Sequence, residues 1–184
     1  MASYRSVAVY CSSSDTIDDV YVQAAQTLGR HFAERHVQLV NGGGSVGLMG
    51  HMARSVHEHG GRVVGVIPLA LKKIEGRAYE ASDELILTET MQERKKIMYE
   101  RSDGYVAMAG GYGTIEEFLE VLTLRNLGYH DKNIVMLNTN GFFDDLINFF
   151  NKMTDSGFAK QPCRKYFHIV SEPEDVLKCL GVGE

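Results

Sequence analysis

Seven short apolar runs alternate with segments of helical length, and two glycine turns each lead from such a run into a helix. Together these features predict an α/β fold: a Rossmann-like, doubly wound, mostly parallel sheet of about seven strands with helices on both faces. The runs are Ser6–Cys11, Val37–Val40, Val63–Ile67, Leu85–Thr88, Tyr105–Ala109, Ile134–Leu137 and Phe167–Val170, rich in β-branched residues and short enough to read as buried strands. Between most of them lie helix-length segments at Asp18–Arg35, Val46–His59, Met91–Ser102, Ile115–Leu127, Phe143–Ser156 and Pro173–Leu180. A hydroxyl residue followed three positions later by glutamate marks three helix starts, at Thr90/Glu93, Thr114/Glu117 and Ser171/Glu174. Asn140-Gly141 suits a turn ahead of the fifth helix. The least regular stretch, Pro68–Asp83, reads as a flexible loop over a site. With no solenoid-period repeat and no low-complexity linker, residues 1–184 read as one nucleotide-binding domain.

Composition narrows the function classes. A hydrophobic fraction of 44 % and a charged fraction of 23 % belong to an ordinary globule. A net charge of −5 argues against a general nucleic-acid surface, which needs a basic face, but leaves room for a local anion pocket. Cys11, Cys163 and Cys179 lack metal-ligand spacing and read as reduced thiols, so neither a disulfide framework nor a metal site is expected. No run approaches the ~18 apolar residues of a membrane span, and the N-terminal residues are too short for a signal-peptide core. The expectation is a soluble cytoplasmic protein.

The chemistry concentrates at the glycine turns. In an open parallel sheet, ligands bind beyond the carboxyl ends of the strands, where both turns fall. Glycine lets backbone approach an anion, and the unpaired N–H groups of a helix's first turn favour phosphate. Gly42, Gly43, Gly44 and Ser45 form one candidate cradle, and Gly110, Gly111, Gly113 and Thr114 the other. Neither has Walker lysine spacing or a clean dinucleotide fingerprint, which weakens ATPase and NAD readings. Tight turning alone is the competing account of the glycines. Glu117 completes a capping box with Thr114, acts chemically, or does both. Arg94 shares a helical stripe with Met91 and Met98; either its stem packs while its head reaches water, or its guanidinium is aimed into the crevice. Glu116, Glu120, Lys95 and Lys96 read as solvated charges, and His57, His59 and His130 as surface or loop histidines.

The segments Gly42–Gly50, Arg94-Lys95-x-x-Met98 and Gly110-Gly111-Tyr112-Gly113-Thr114-x-x-Glu117 closely resemble the Lonely Guy (LOG) family of cytokinin riboside 5′-monophosphate phosphoribohydrolases, in order and spacing across nearly the whole chain. The resemblance implies a homodimer with active sites near the subunit interface. It also implies cofactor-independent hydrolysis of the N-glycosidic bond of an adenosine-type 5′-monophosphate. By the same resemblance, Arg94 and Glu117 are catalytic, the second glycine turn holds phosphate and ribose, and Glu75, Lys95 and Thr123 fall near nucleotide contacts. Such proteins have often been labelled lysine decarboxylases, yet nothing in this chain resembles a pyridoxal-phosphate site. The chain departs from the family pattern at Ala109, at Asn41 and at Leu124–Gly128; these positions bear on recognition of the base or of an isoprenoid tail. Two other readings stand beside this one: a broad nucleoside-monophosphate phosphoribohydrolase, and a non-catalytic nucleotide-binding module.

Overall fold

The computed structural model describes residues 5–74 and 77–182. Its seven strands are β1 (Arg5–Tyr10), β2 (Val37–Asn41), β3 (Val63–Pro68), β4 (Glu84–Thr88), β5 (Gly104–Ala107), β6 (Asn133–Leu137) and β7 (His168–Val170). The helices are α1 (Asp19–Glu34), α2 (Gly47–Glu58), α3 (Leu69–Lys72), α4 (Met91–Glu100), α5 (Tyr112–Asn126), α6 (Asp144–Asp155) and α7 (Glu174–Cys179), with single 3-10 turns at Thr139–Gly141 and Cys163–Lys165. The strands lie in one sheet of order β4-β3-β2-β1-β5-β6-β7, and every neighbouring pair is parallel.

Alternation along the strands feeds two cores. Val7, Val9, Val37, Leu39 and Val106 pack against α1, α2 and α7 on one face through Leu28, Phe32, Met52 and Leu177. Ala8, Tyr10, Val40, Val64 and Tyr105 pack on the other face against α4, α5 and α6, through Met98, Phe118, Val121 and Phe150. Both faces of the central strands are covered, which is why these strands are continuous apolar runs rather than alternating ones. The chain winds outward from β1 to β4, returns to β5 beside β1, and winds outward again to β7. The β1/β5 boundary is therefore the topological switch point, where a crevice opens at the strand ends.

Two of the three expected capping boxes are corrected. At α4 the Thr90 hydroxyl does accept from the Glu93 N–H at 3.1 Å, while the Glu93 carboxylate takes the Glu89 N–H at 2.9 Å. Helix α5, however, starts at Tyr112 with Gly111 as its cap, so Thr114 lies inside the first turn and does not cap. Helix α7 starts after Pro173 and carries no side-chain cap, so Ser171 has no such part. The stretch expected to be irregular, Pro68–Asp83, contains the single turn of α3 and is pinned further on: the Tyr79 N–H donates to Gly43 O at 2.8 Å and the Ser45 N–H to Arg77 O at 2.9 Å. Among the described residues no helix is long and apolar enough to cross a membrane.

Candidate active site

Loops from four strands meet at the switch point around a cavity of about 600 Å³. After β1 comes Cys11 to Ser14, after β2 Gly42 and Gly44, from β3 Ile67, and after β5 Gly111 to Thr114; Arg94 and Glu117 also line it. The first loop is held from both sides. The Ser12 N–H donates to Ala109 O at 3.1 Å, and Ser12 O accepts the Met49 N–H at 3.3 Å. Gly47, at φ +61°, fits beneath this loop; a Cβ there would lie 2.7 Å from Ser13 C and Ser14 O. Its N–H is taken by Asp15 Oδ1 at 2.8 Å.

At the cavity floor Arg94 and Glu117 form a buried ion pair, each only 8 % exposed. Arg94 Nη1 donates to Glu117 Oε1 at 2.9 Å, and Nε donates to Val66 O at 3.0 Å. The arginine head is therefore paired at the cavity floor instead of extended to the outer surface, and the snorkelling account fails. Met91, expected on the same buried stripe, is exposed. Because α5 begins two residues before Thr114, Glu117 sits in its second turn facing α4, and its carboxylate pairs instead of capping. Burial raises the Glu117 carboxyl above its ordinary range, with Arg94 pulling the other way. A charge placed in so buried a floor acts strongly on whatever lies against it.

The two glycine turns differ in kind. Gly42 is dictated by the arginine: a Cβ would fall 1.9 Å from Arg94 Nη2. The Gly43 N–H is occupied by Asn41 Oδ1 at 2.8 Å and that of Ser45 by Arg77 O, so this turn is braced both from within and by the segment at Arg77. Gly44 lines the cavity. In the second turn, Gly110 makes room for Thr114, whose Oγ1 would be 2.1 Å from a Cβ there. At Gly111 and Gly113 a Cβ would meet nothing within 4 Å, so both face open space. The first intrahelical bond of α5 is Ile115 N–H to Gly111 O at 3.2 Å. The N–H groups of Tyr112, Gly113 and Thr114 thus lack helical acceptors and stand at the cavity wall, where an anion fits.

Other expected residues lie elsewhere. Lys95 bonds Glu116 and, at 3.1 Å, Glu120, so these charges tie α4 to α5 while both glutamates stay exposed to solvent; the hydrogen bond to Glu116 raises the Lys95 ammonium further. Thr123 is exposed, farther along α5 and away from the cavity. Glu75 lies outside the described residues. His57 links Tyr79 OH at 2.9 Å to Asp83 Oδ2 at 3.0 Å, fastening the loop above the site to α2. Sequence reasoning missed Ser12 to Ser14 and Arg77, all of which line the cavity. The serines were findable as the first strand-to-helix loop of a doubly wound sheet.

A family model described as "Possible lysine decarboxylase" matches residues 49–180. The cytokinin riboside 5′-monophosphate phosphoribohydrolase LOG2 of Arabidopsis thaliana is 43 % identical over 92 % of this chain and 78 % of its own. Its relative LOG5 from the same plant is 43 % identical over 96 % and 77 %. Among solved structures, the molybdenum cofactor carrier protein of Chlamydomonas reinhardtii aligns with TM-score 0.74 at 22 % identity over 97 % of both chains. The molybdenum cofactor binding protein of Rippkaea orientalis aligns with TM-score 0.72 at 22 % identity over 98 % of both. These last two likenesses speak to the fold alone.

Proposed function

Because this chain belongs to the Lonely Guy (LOG) family of cytokinin riboside 5′-monophosphate phosphoribohydrolases, we propose that it is an N-glycosyl hydrolase. It cleaves adenosine-type 5′-monophosphates, N6-modified ones included, to free base and ribose 5-phosphate. The observation that carries this reading is the buried Arg94–Glu117 pair at the floor of a cavity walled by the first-turn amides of α5. The 5′-phosphate lies on the N–H groups of Gly113 and Thr114, with Gly111 leaving space for it. The sugar-to-base bond then sits over the pair.

As the C1′–N bond breaks, its electron pair goes to the base nitrogen and positive charge develops on the sugar. Glu117 gives one oxygen to Arg94 and leaves the other to stabilise that charge or orient the attacking water. Water supplies the hydroxyl to C1′, and its proton leaves with the base. Arg94 assists the developing negative charge of the leaving base. A standard glycosidase pair has two carboxylates; here Glu117 is the one carboxylate lining the cavity among the described residues, so the guanidinium takes the second place.

The protein acts as a single cytoplasmic nucleotide-binding domain assembled into a homodimer. Exposed Leu119, Leu127 and Tyr129 on and after α5 offer apolar surface for that association, and light scattering after size exclusion reads the mass. The catalytic test is incubation with AMP and N6-isopentenyl-AMP, following base release by chromatography. Folded protein that releases no base from any nucleoside monophosphate refutes the reading. Comparable turnover across purine and pyrimidine monophosphates would replace it with the broad-specificity one.

A further inference from the structure

We propose that Arg77 is a phosphate-binding residue of this cavity, facing the substrate from the wall opposite the α5 N-terminus. The proposal deepens the nucleotide reading above and rests on it. Among the described residues, three side chains lining the cavity bear a carboxyl or guanidinium group: Arg77, Arg94 and Glu117. Arg94 and Glu117 neutralise each other at 2.9 Å. The Arg77 guanidinium has no hydrogen bond or ion pair to any described residue, so it supplies the uncompensated charge of the site. On a chain of net charge −5, this leaves a locally cationic hollow, suited to a group carrying about two negative charges near neutrality.

The backbone of Arg77 is not loose. Its N–H donates to Ile74 O at 3.1 Å, and its carbonyl accepts the Ser45 N–H at 2.9 Å. Ala78 bridges Gly44 in antiparallel fashion, and the Tyr79 N–H reaches Gly43 O. Residues 77–79 are thus stitched to the first glycine turn, whose Ser45 N–H is spent on holding the arginine's segment and whose Gly43 N–H is spent on Asn41. The first glycine turn therefore presents a cation to the ligand where sequence alone suggested an amide cradle. A guanidinium also matches phosphate oxygens two at a time.

The test is calorimetric titration of wild type, R77A and R77K with ribose 5-phosphate and, separately, with adenosine, alongside kinetics on AMP. Arg77 is exposed, so the variants should keep the wild-type Tm. The expected result is ribose 5-phosphate binding weakened about tenfold or more in R77A, as for loss of a charge-assisted contact. R77K should recover part of it, adenosine affinity should stay within about twofold, and KM should rise with kcat nearly unchanged. Unchanged ribose 5-phosphate binding in R77A, or equal loss for both ligands, would overturn the proposal; loss for adenosine alone would overturn it too, moving the arginine to the base. Wild type that binds ribose 5-phosphate but releases no base from AMP defeats the hydrolase reading while leaving the Arg77 comparison intact.

Discussion

Replacing Glu117 by glutamine removes one charge and almost no volume from the cavity floor, and two consequences can be sized. On chemistry, loss of a positioned charged group costs about 10² to 10⁴ in turnover, or about 3–5 kcal/mol of barrier. On stability, stranding a buried guanidinium costs about 3–5 kcal/mol when its partner is deleted. Glutamine keeps a carbonyl oxygen for Arg94 Nη1, now 2.9 Å from Glu117 Oε1, and Nε keeps Val66 O at 3.0 Å. The loss should then be nearer 1–3 kcal/mol, a Tm fall of roughly 2–12 °C for a chain of this size. The variant stays folded at 25 °C and still binds AMP. The assay is base release by chromatography beside calorimetric AMP binding and a melting curve. Since burial holds the Glu117 carboxyl above its usual range, wild-type activity should fall on the acid side at a pH above that of an ordinary glutamate. E117Q should lose that limb. Turnover within about threefold of wild type, in a folded variant that binds AMP, would refute the role given to this carboxylate.

Three further outcomes follow from the same geometry. In G42A the new Cβ, 1.9 Å from Arg94 Nη2, must push the guanidinium off Glu117; kcat should drop about 10²-fold, as for a small misplacement of catalytic groups, and Tm should fall with it. G110A, whose Cβ would strike Thr114 Oγ1 at 2.1 Å, should lower Tm, whereas G111A meets no protein atom within 4 Å and should leave Tm unchanged while raising KM; equal melting temperatures for the two variants would contradict this assignment. Because the folded Glu117 binds its proton more tightly than the unfolded chain does, its contribution to stability is complete below the ordinary glutamate range and is lost as pH rises through the raised value. A urea titration series across pH should therefore show a shallower decline over that window in E117Q than in wild type.

The sheet was legible because each central strand is buried on both faces, which writes it into the chain as a short unbroken apolar run; strand boundaries shift by at most two residues, as where β5 ends at Ala107 and not at Ala109. Helix starts were less legible. The Thr-x-x-Glu spacing marks α4 correctly but misplaces α5, since Gly111 begins that helix without any side-chain cap. Helix α3 is four residues long, too short to show a period. Arg94 stood out as a guanidinium on an apolar stripe, and the structure buries it with Glu117. Arg77 did not stand out, because it follows Lys72 and Lys73 in a basic, irregular stretch, and what distinguishes it is the pairing of its backbone with a turn 32 residues away. Lys95 carried a motif match, and its pairing with Glu116 and Glu120 across two helices was not legible from spacing.

The ion pair in the cavity floor also governs how a catalytic cycle can end. Since each partner already balances the other at 2.9 Å, departure of the last product leaves neither buried group of the floor without its counter-charge. Grip on the nucleotide can then come from the rim while the reactive floor stays set between rounds, so that a weakly held product and a permanently assembled reaction centre are compatible in one small chain.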